Sequence, residues 1–161
     1  MHPPNPLSRL GKPIAAVSVA TLLLVGCTAD GESPSAADGG GTTVNVTLQE
    51  WAVLPDPASA SAGDVTFSIT NDGPEDIHEF VVIATDLDPA ELPTDETGAV
   101  DESGEGIEVS GEVEDVPVGE TQELTLSLDA GNYVLICNIY SEDEDEAHYA
   151  MGMRAAFTVN E

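Results

Sequence analysis

Four side chains of the kind soft transition metals favour stand out in a sequence dominated by carboxylates and small residues. Cys137, His148 and Met153 fall within 17 residues of one another, and His78 lies upstream. Beyond residue 27, His78 and His148 are the only imidazoles, Cys137 the only thiol, and Met151 and Met153 the only thioethers. Singly, each has an ordinary structural use: a small buried thiol, a core histidine with a backbone partner, a methionine filling a gap. Together, two imidazoles, a thiolate and a weak thioether are the donor set of a mononuclear electron-transfer copper centre. A trigonal plane of such donors suits Cu(I) and Cu(II) about equally, so little rearrangement accompanies the redox step. The thioether and surrounding dipoles then tune the potential. An unpaired cysteine in an oxidising compartment is also a liability unless it is buried or bound.

Such donors need a stiff frame, and the chain supplies period-two alternation for one. Thr43–Leu48, Val65–Thr70 and Leu124–Leu128 alternate polar and apolar residues as half-buried strands do, and Ala155–Val159 makes a shorter final strand. Phe80–Ile83 and Tyr133–Ile136 are continuous apolar runs, expected of strands covered on both faces. Turn signals separate them at Ser61–Asp64, Asn71–Pro74, Pro117–Glu120 and Asp129–Asn132. No stretch downstream of residue 41 shows a long 3.6-residue period. The expectation is an all-β, Greek-key β-sandwich or barrel over residues 42–161.

Two segments resist that pattern. Residues 86–116 are rich in acidic residues and glycine, with Pro89 and Pro93. They read as a long solvated connection with one helical turn near Pro89–Leu92 and a strand near Ile107–Val113. No spaced D-x-D-x-D-G loop marks a calcium site there. The second is Ser141–Glu146, where Glu142, Asp143, Glu144, Asp145 and Glu146 crowd between Cys137 and His148. These five carboxylates are candidate docking groups for a partner with a basic surface.

The charge is one-sided: 31 acidic residues against three basic ones, of which Arg9 and Lys12 precede residue 27. Arg154 is thus the only permanent cation of the remainder. Repulsion replaces the counterion release that drives binding to nucleic acid, so nucleic acid is excluded as a partner, and an anionic membrane surface is a poor one. A cationic protein partner or a high-salt medium fits. Upstream, a cationic start, an apolar core from Ile14 to Val25 and Gly26 before Cys27 describe residues 1–26 as a secretory signal. The core is too short for a permanent membrane span, which needs about 20 residues. Leu24-Val-Gly-Cys27 resembles the bacterial lipoprotein box, which implies lipidation of Cys27 as the mature N-terminus. Several acyl chains, at about 0.8 kcal/mol per buried CH₂, make a durable anchor. Residues 27–41, rich in Gly, Ser, Ala and Asp, read as a flexible tether. The implied location is the outer face of the cell membrane.

Over Thr42–Glu161 the sequence resembles the cupredoxins, the blue type 1 copper proteins such as plastocyanin, azurin, halocyanin and sulfocyanin. Asn71-Asp-Gly-Pro-Glu-Asp-Ile-His78, followed by an apolar strand, matches their first-histidine segment. Gly131 to Cys137 and His148 to Val159 look like the two halves of their C-terminal Cys…His…Met signature. The resemblance implies one copper ion held by His78, Cys137, His148 and Met153, and an electron carrier rather than an enzyme. It favours Met153 over Met151, because four residues between His and Met is the commoner family spacing. Gly152 also allows a turn into the last strand. Family members place two to four residues between Cys and His; here ten intervene, Asn138 to Ala147. The excess could loosen His148, widen solvent access or set carboxylates beside the metal. Alternative functions are copper delivery, and a structural cupredoxin-like domain with a vestigial site. Two histidines are too few for a multicopper oxidase or nitrite reductase, and one loop cysteine is too few for a binuclear copper site.

Overall fold

The computed structural model describes residues 41–161. The signal segment, Cys27 and the tether lie outside the described residues. Among the described residues the chain is all-β apart from one helical turn, and its strands form two sheets and a small hairpin.

The first sheet holds β1 (Thr42–Gln49), β2 (Ala52–Asp56), β4 (Gly63–Asn71) and β7 (Thr121–Leu128), in the order β2-β1-β4-β7. The second holds β3 (Ser59–Ser61), β5 (His78–Ala84), β6 (Glu108–Val116), β8 (Gly131–Ile136) and β11 (Arg154–Asn160), in the order β3-β11-β8-β5-β6. β1 runs parallel to β4 and β3 parallel to β11; the other pairs are antiparallel. The chain changes sheet at the β2–β3, β3–β4, β4–β5, β6–β7 and β7–β8 connections, a wiring of Greek-key type.

Alternation does what it should. Val44, Val46 and Leu48 of β1 and Val65, Phe67 and Ile69 of β4 point inward, against Phe80 and Val82 of β5, Leu135 of β8 and Phe157 of β11. Phe67 sits at the centre, tilted against Phe80 at 5.3 Å and Phe157 at 5.5 Å between ring centroids. Such pairs add about 0.5–1.5 kcal/mol beyond the area they bury.

β5 and β8 are apolar on both faces because the second sheet is covered on both. Val81, Ile83, Val134 and Ile136 form a second cluster with Leu92, Val100 and Tyr149. Leu92 and Val100 come from the 85–107 connection, which is therefore a cover for the sheet and not a solvated excursion. Pro89–Leu92 is also not a helical turn. The Asp88 carboxylate accepts the Ala90 N–H at 2.9 Å, and the Glu91 N–H closes a single turn on the Asp88 carbonyl at 2.8 Å. Pro93 then disfavours a helical Leu92, and Leu92 enters the cluster. The expected strand near Ile107–Val113 is β6.

Candidate metal centre

Each candidate ligand is held by backbone that the sequence prepares locally. Asn71 ends β4 fully buried and organises the turn before β5. Its amide donates to the carbonyls of Asp76 and Val116, both at 2.8 Å, and its side-chain oxygen accepts the Gly73 N–H at 2.9 Å. The turn delivers His78 as the first residue of β5, with no exposed surface. Cys137 follows β8 directly and is also fully buried; its N–H donates to the Met153 carbonyl at 3.1 Å.

The ten residues between Cys137 and His148 fold back on themselves. β9 (Tyr140–Ser141) pairs with β10 (Glu146–Ala147), bringing Tyr140 opposite Ala147. The His148 N–H then donates to the Ile139 carbonyl at 2.9 Å. The acidic insertion is thus closed off as a hairpin, and the path from Cys137 to His148 is as short as if it were absent. His148 is only 2 % exposed, so the insertion does not widen its solvent access. It opens the single helical turn α1 (His148–Met151), which ends at Gly152 with φ of 126°, a value that suits glycine. The turn leaves Met151 43 % exposed and returns Met153, fully buried, to the core beside Cys137. Of the two thioethers only Met153 lies inside.

The three nitrogen and sulfur donors converge. His78 Nδ1 and His148 Nδ1 are 3.2 Å apart, and Cys137 Sγ lies 3.9 Å from the first and 3.4 Å from the second. The circumcentre of a triangle with these sides is about 2 Å from each corner. Bonds from a first-row ion such as zinc are about 2.0–2.1 Å to imidazole and about 2.3 Å to thiolate. The donors therefore stand at spacings close to those a transition metal requires. Among the described residues, no other group of three His, Cys, Asp or Glu side chains converges in this way.

The electrostatics suit ligands. Burial, then the neighbouring His148 ring, lowers the His78 pKa below its ordinary value, against the pull of Glu50 and Asp76. Burial lowers that of His148, opposed by Asp76, Glu144 and Glu146. Both imidazoles are thereby kept neutral and able to donate lone pairs. Burial pushes the Cys137 thiol up to about 12, against the backbone N–H groups of Glu79 and Ile139. The metal-free site thus holds a thiol, and metal binding must displace its proton. The Glu79 N–H points at Sγ from 3.2 Å.

Two neighbours of the site carried almost no sequence signal of their own. Trp51, the only tryptophan, meets His148 edge to face at 5.0 Å between centroids; its uniqueness was the one available hint. Glu50, just before it, accepts the Asp76 N–H at 2.8 Å and faces His78. His148 also lines a surface hollow of about 210 Å³ with Asp76, Ile77, Ile139 and Ser141. Glu142, Asp143, Glu144 and Asp145 are exposed on the adjoining hairpin and Glu146 is half-buried.

No protein-family model matches the sequence, and no curated protein sequence matches it. Solved structures do match. Reduced auracyanin from Roseiflexus castenholzii superposes with a TM-score of 0.53 at 22% identity, covering 76% of this chain and 100% of its own. Auracyanin A from Chloroflexus aurantiacus gives 0.51 at 22%, covering 75% and 100%. Azurin iso-2 from Methylomonas sp. strain J gives 0.51 at 17%, covering 76% and 100%. The chain has the cupredoxin fold.

Proposed function

We propose that this protein is a lipid-anchored, extracytoplasmic electron carrier with one type 1 copper site formed by His78, Cys137, His148 and Met153. The observation that carries the reading is the triangle of His78 Nδ1, Cys137 Sγ and His148 Nδ1, closed to metal-binding size inside the core. Auracyanin A, which shares the fold, is described as a "blue" copper protein. Bound there, copper would supply a one-electron Cu(II)/Cu(I) couple.

The chain's own residues do the rest. The neutral imidazoles of His78 and His148 and a deprotonated Cys137 would hold the ion, with Met153 as the inward thioether. The Glu79 N–H would stabilise the thiolate, and the hydrogen bonds of Asn71, Cys137, His148 and Met153 hold the donors in place. His148, at the floor of the hollow, is the edge nearest a partner. Glu142 to Glu146 steer a partner with a basic face, and salt screens such steering. Copper delivery would call for an open coordination position, whereas His78 and Cys137 are fully buried and His148 nearly so. Export and anchoring rest on the N-terminal sequence, from the apolar core to Leu24-Val-Gly-Cys27.

The test is the visible spectrum of the full chain after addition of Cu(II), with Cys137→Ser alongside. An intense thiolate-to-copper band, absent from the variant, is the expected result; a colourless wild-type protein would refute the site. Because the thiol is protonated when metal-free, Cu(II) affinity should fall about tenfold per unit of pH lowered, with one proton released from Cys137 per ion bound.

A further inference from the structure

Among the described residues, two buried side-chain polar atoms lack any hydrogen-bond partner: His78 Nε2 and Glu50 Oε2. They belong to neighbouring side chains. His78 Nε2 lies 3.9 Å from the other oxygen of the same carboxylate, Glu50 Oε1, with the imidazole fully buried and the glutamate side chain 11 % exposed. The far nitrogen of His78, turned away from Cys137 and His148, thus meets a carboxylate and no backbone carbonyl. The gap is about 1 Å longer than a hydrogen bond, and the terminal torsion of a glutamate is soft enough to close it.

We infer that Glu50 is the positioning residue of the metal centre. It takes the Nε2–H of His78, fixes the tautomer that leaves Nδ1 free for the ion, and places a negative charge behind that ligand. This rests on the copper reading above. Metal-bound histidines commonly donate their second N–H to such a group, which orients the ring and strengthens it as a donor.

The surroundings hold Glu50 to that task. Its Oε1 accepts the N–H groups of Asp76 at 2.8 Å and Glu75 at 3.3 Å, so the carboxylate is tied to the turn that delivers His78. A Cβ at Gly73 would come within 2.6 Å of the same carboxylate, so a residue without a side chain makes room for it. Two backbone N–H groups on one carboxylate oxygen favour its charged form, so the group behind His78 is an anion. With Cu(II) the more positive ion, that anion should favour the oxidised state.

The experiment compares wild type, Glu50→Gln and Asp64→Asn in the full chain. Glu50→Gln removes the charge and turns the second oxygen into an amide donor but keeps an oxygen for the Asp76 N–H, so the fold, checked by thermal melting without metal, should persist. This variant should lower Cu(II) affinity 10- to 100-fold in competition with a chelator and raise the reduction potential. Asp64→Asn, exposed at the start of β4 and at the far end of that strand from Asn71, should change neither. In metal-free wild type, nitrogen NMR of His78 should show the Nε2–H tautomer. Wild-type affinity and potential in Glu50→Gln, or an Nδ1–H tautomer at His78, would overturn the inference while leaving the copper site standing. A wild-type protein without the thiolate band would instead overturn the site itself, and the tautomer would still decide whether Glu50 holds the ring.

Discussion

Two acidic stretches of this chain look alike as text and behave oppositely as structure. Residues 85–107 and Ser141–Glu146 are both crowded with carboxylates; the first follows the strand that begins at His78, and the second lies between Cys137 and His148. The first lies down on the second sheet. It buries Leu92 and Val100, takes a bond from its Leu92 N–H to the Tyr149 hydroxyl at 3.2 Å, and exchanges two bonds between the Val100 backbone and the Asn138 amide, at 2.6 and 3.1 Å. Asn138 follows Cys137 and Tyr149 follows His148, so this cover braces both halves of the ligand loop. Its acidic residues serve the path of the chain: the Asp88, Asp95 and Asp101 side chains cap turns by accepting N–H groups two residues on. The second stretch stands clear of the protein as a hairpin, held at its base by the Tyr140–Ala147 pair and near its tip by the Tyr140 hydroxyl on Asp145 at 2.6 Å. A few apolar residues spaced among the carboxylates separate the cover from the antenna; acidity does not.

The contrast can be broken in three places. The largest effect should come from Leu92→Ala, which empties a buried position in the cover and should cost about 2–5 kcal/mol in denaturant unfolding. A loss under about 1 kcal/mol would mean that the cover lies loosely. Next is Tyr149→Phe, which strips the Leu92 N–H of its acceptor and the Pro89 carbonyl of its donor at 2.8 Å. About 1–2 kcal/mol should be lost by the same measurement. The smallest stability change belongs to the antenna. Replacing residues 141–146 by Asn-Gly, a pair that closes two-residue hairpins, should shift stability by no more than about 0.5 kcal/mol and leave the thiolate band intact. Its effect should appear in kinetics. Wild-type electron exchange with a basic partner should slow as ionic strength rises, and the shortened chain should show a flatter slope. A steep, unchanged slope in the shortened chain would remove the hairpin from docking.

Strands built on strict alternation were legible because burial of one face imposes a period of two. β5 and β8 were legible as doubly covered, although what covered them was not. β2 and β3 escaped notice because β2 contains Pro55 and β3 is Ser-Ala-Ser; pairing with β1 and β11 makes them strands, not propensity. The β9–β10 hairpin was hidden for a similar reason, since its two-residue arms carry too little pattern against the acidic run. In the site, the donor types and their order announced themselves because so few soft side chains exist beyond residue 27. Asn138, Tyr149 and Glu50 did not. Each acts through a partner distant in sequence, and Glu50 is one carboxylate among many until His78 is placed beside it.

Arg154 is the only lysine or arginine in residues 41–161. It pairs with no carboxylate among the described residues. Its guanidinium lies 5.0 Å over the Tyr149 ring and donates to the Tyr149 carbonyl at 2.6 Å, while its backbone sits in β11 opposite Ile136 of β8. A protease that cuts after basic residues therefore has one peptide bond to attack in this whole stretch, and that bond is sealed within a sheet. Cleavage there must wait for the sandwich to open, so its rate, when reclosing outpaces cutting, reads out the population of the open form. The chain carries its own single-site gauge of unfolding, and the logarithm of its rate should fall in proportion to the stability a bound metal adds.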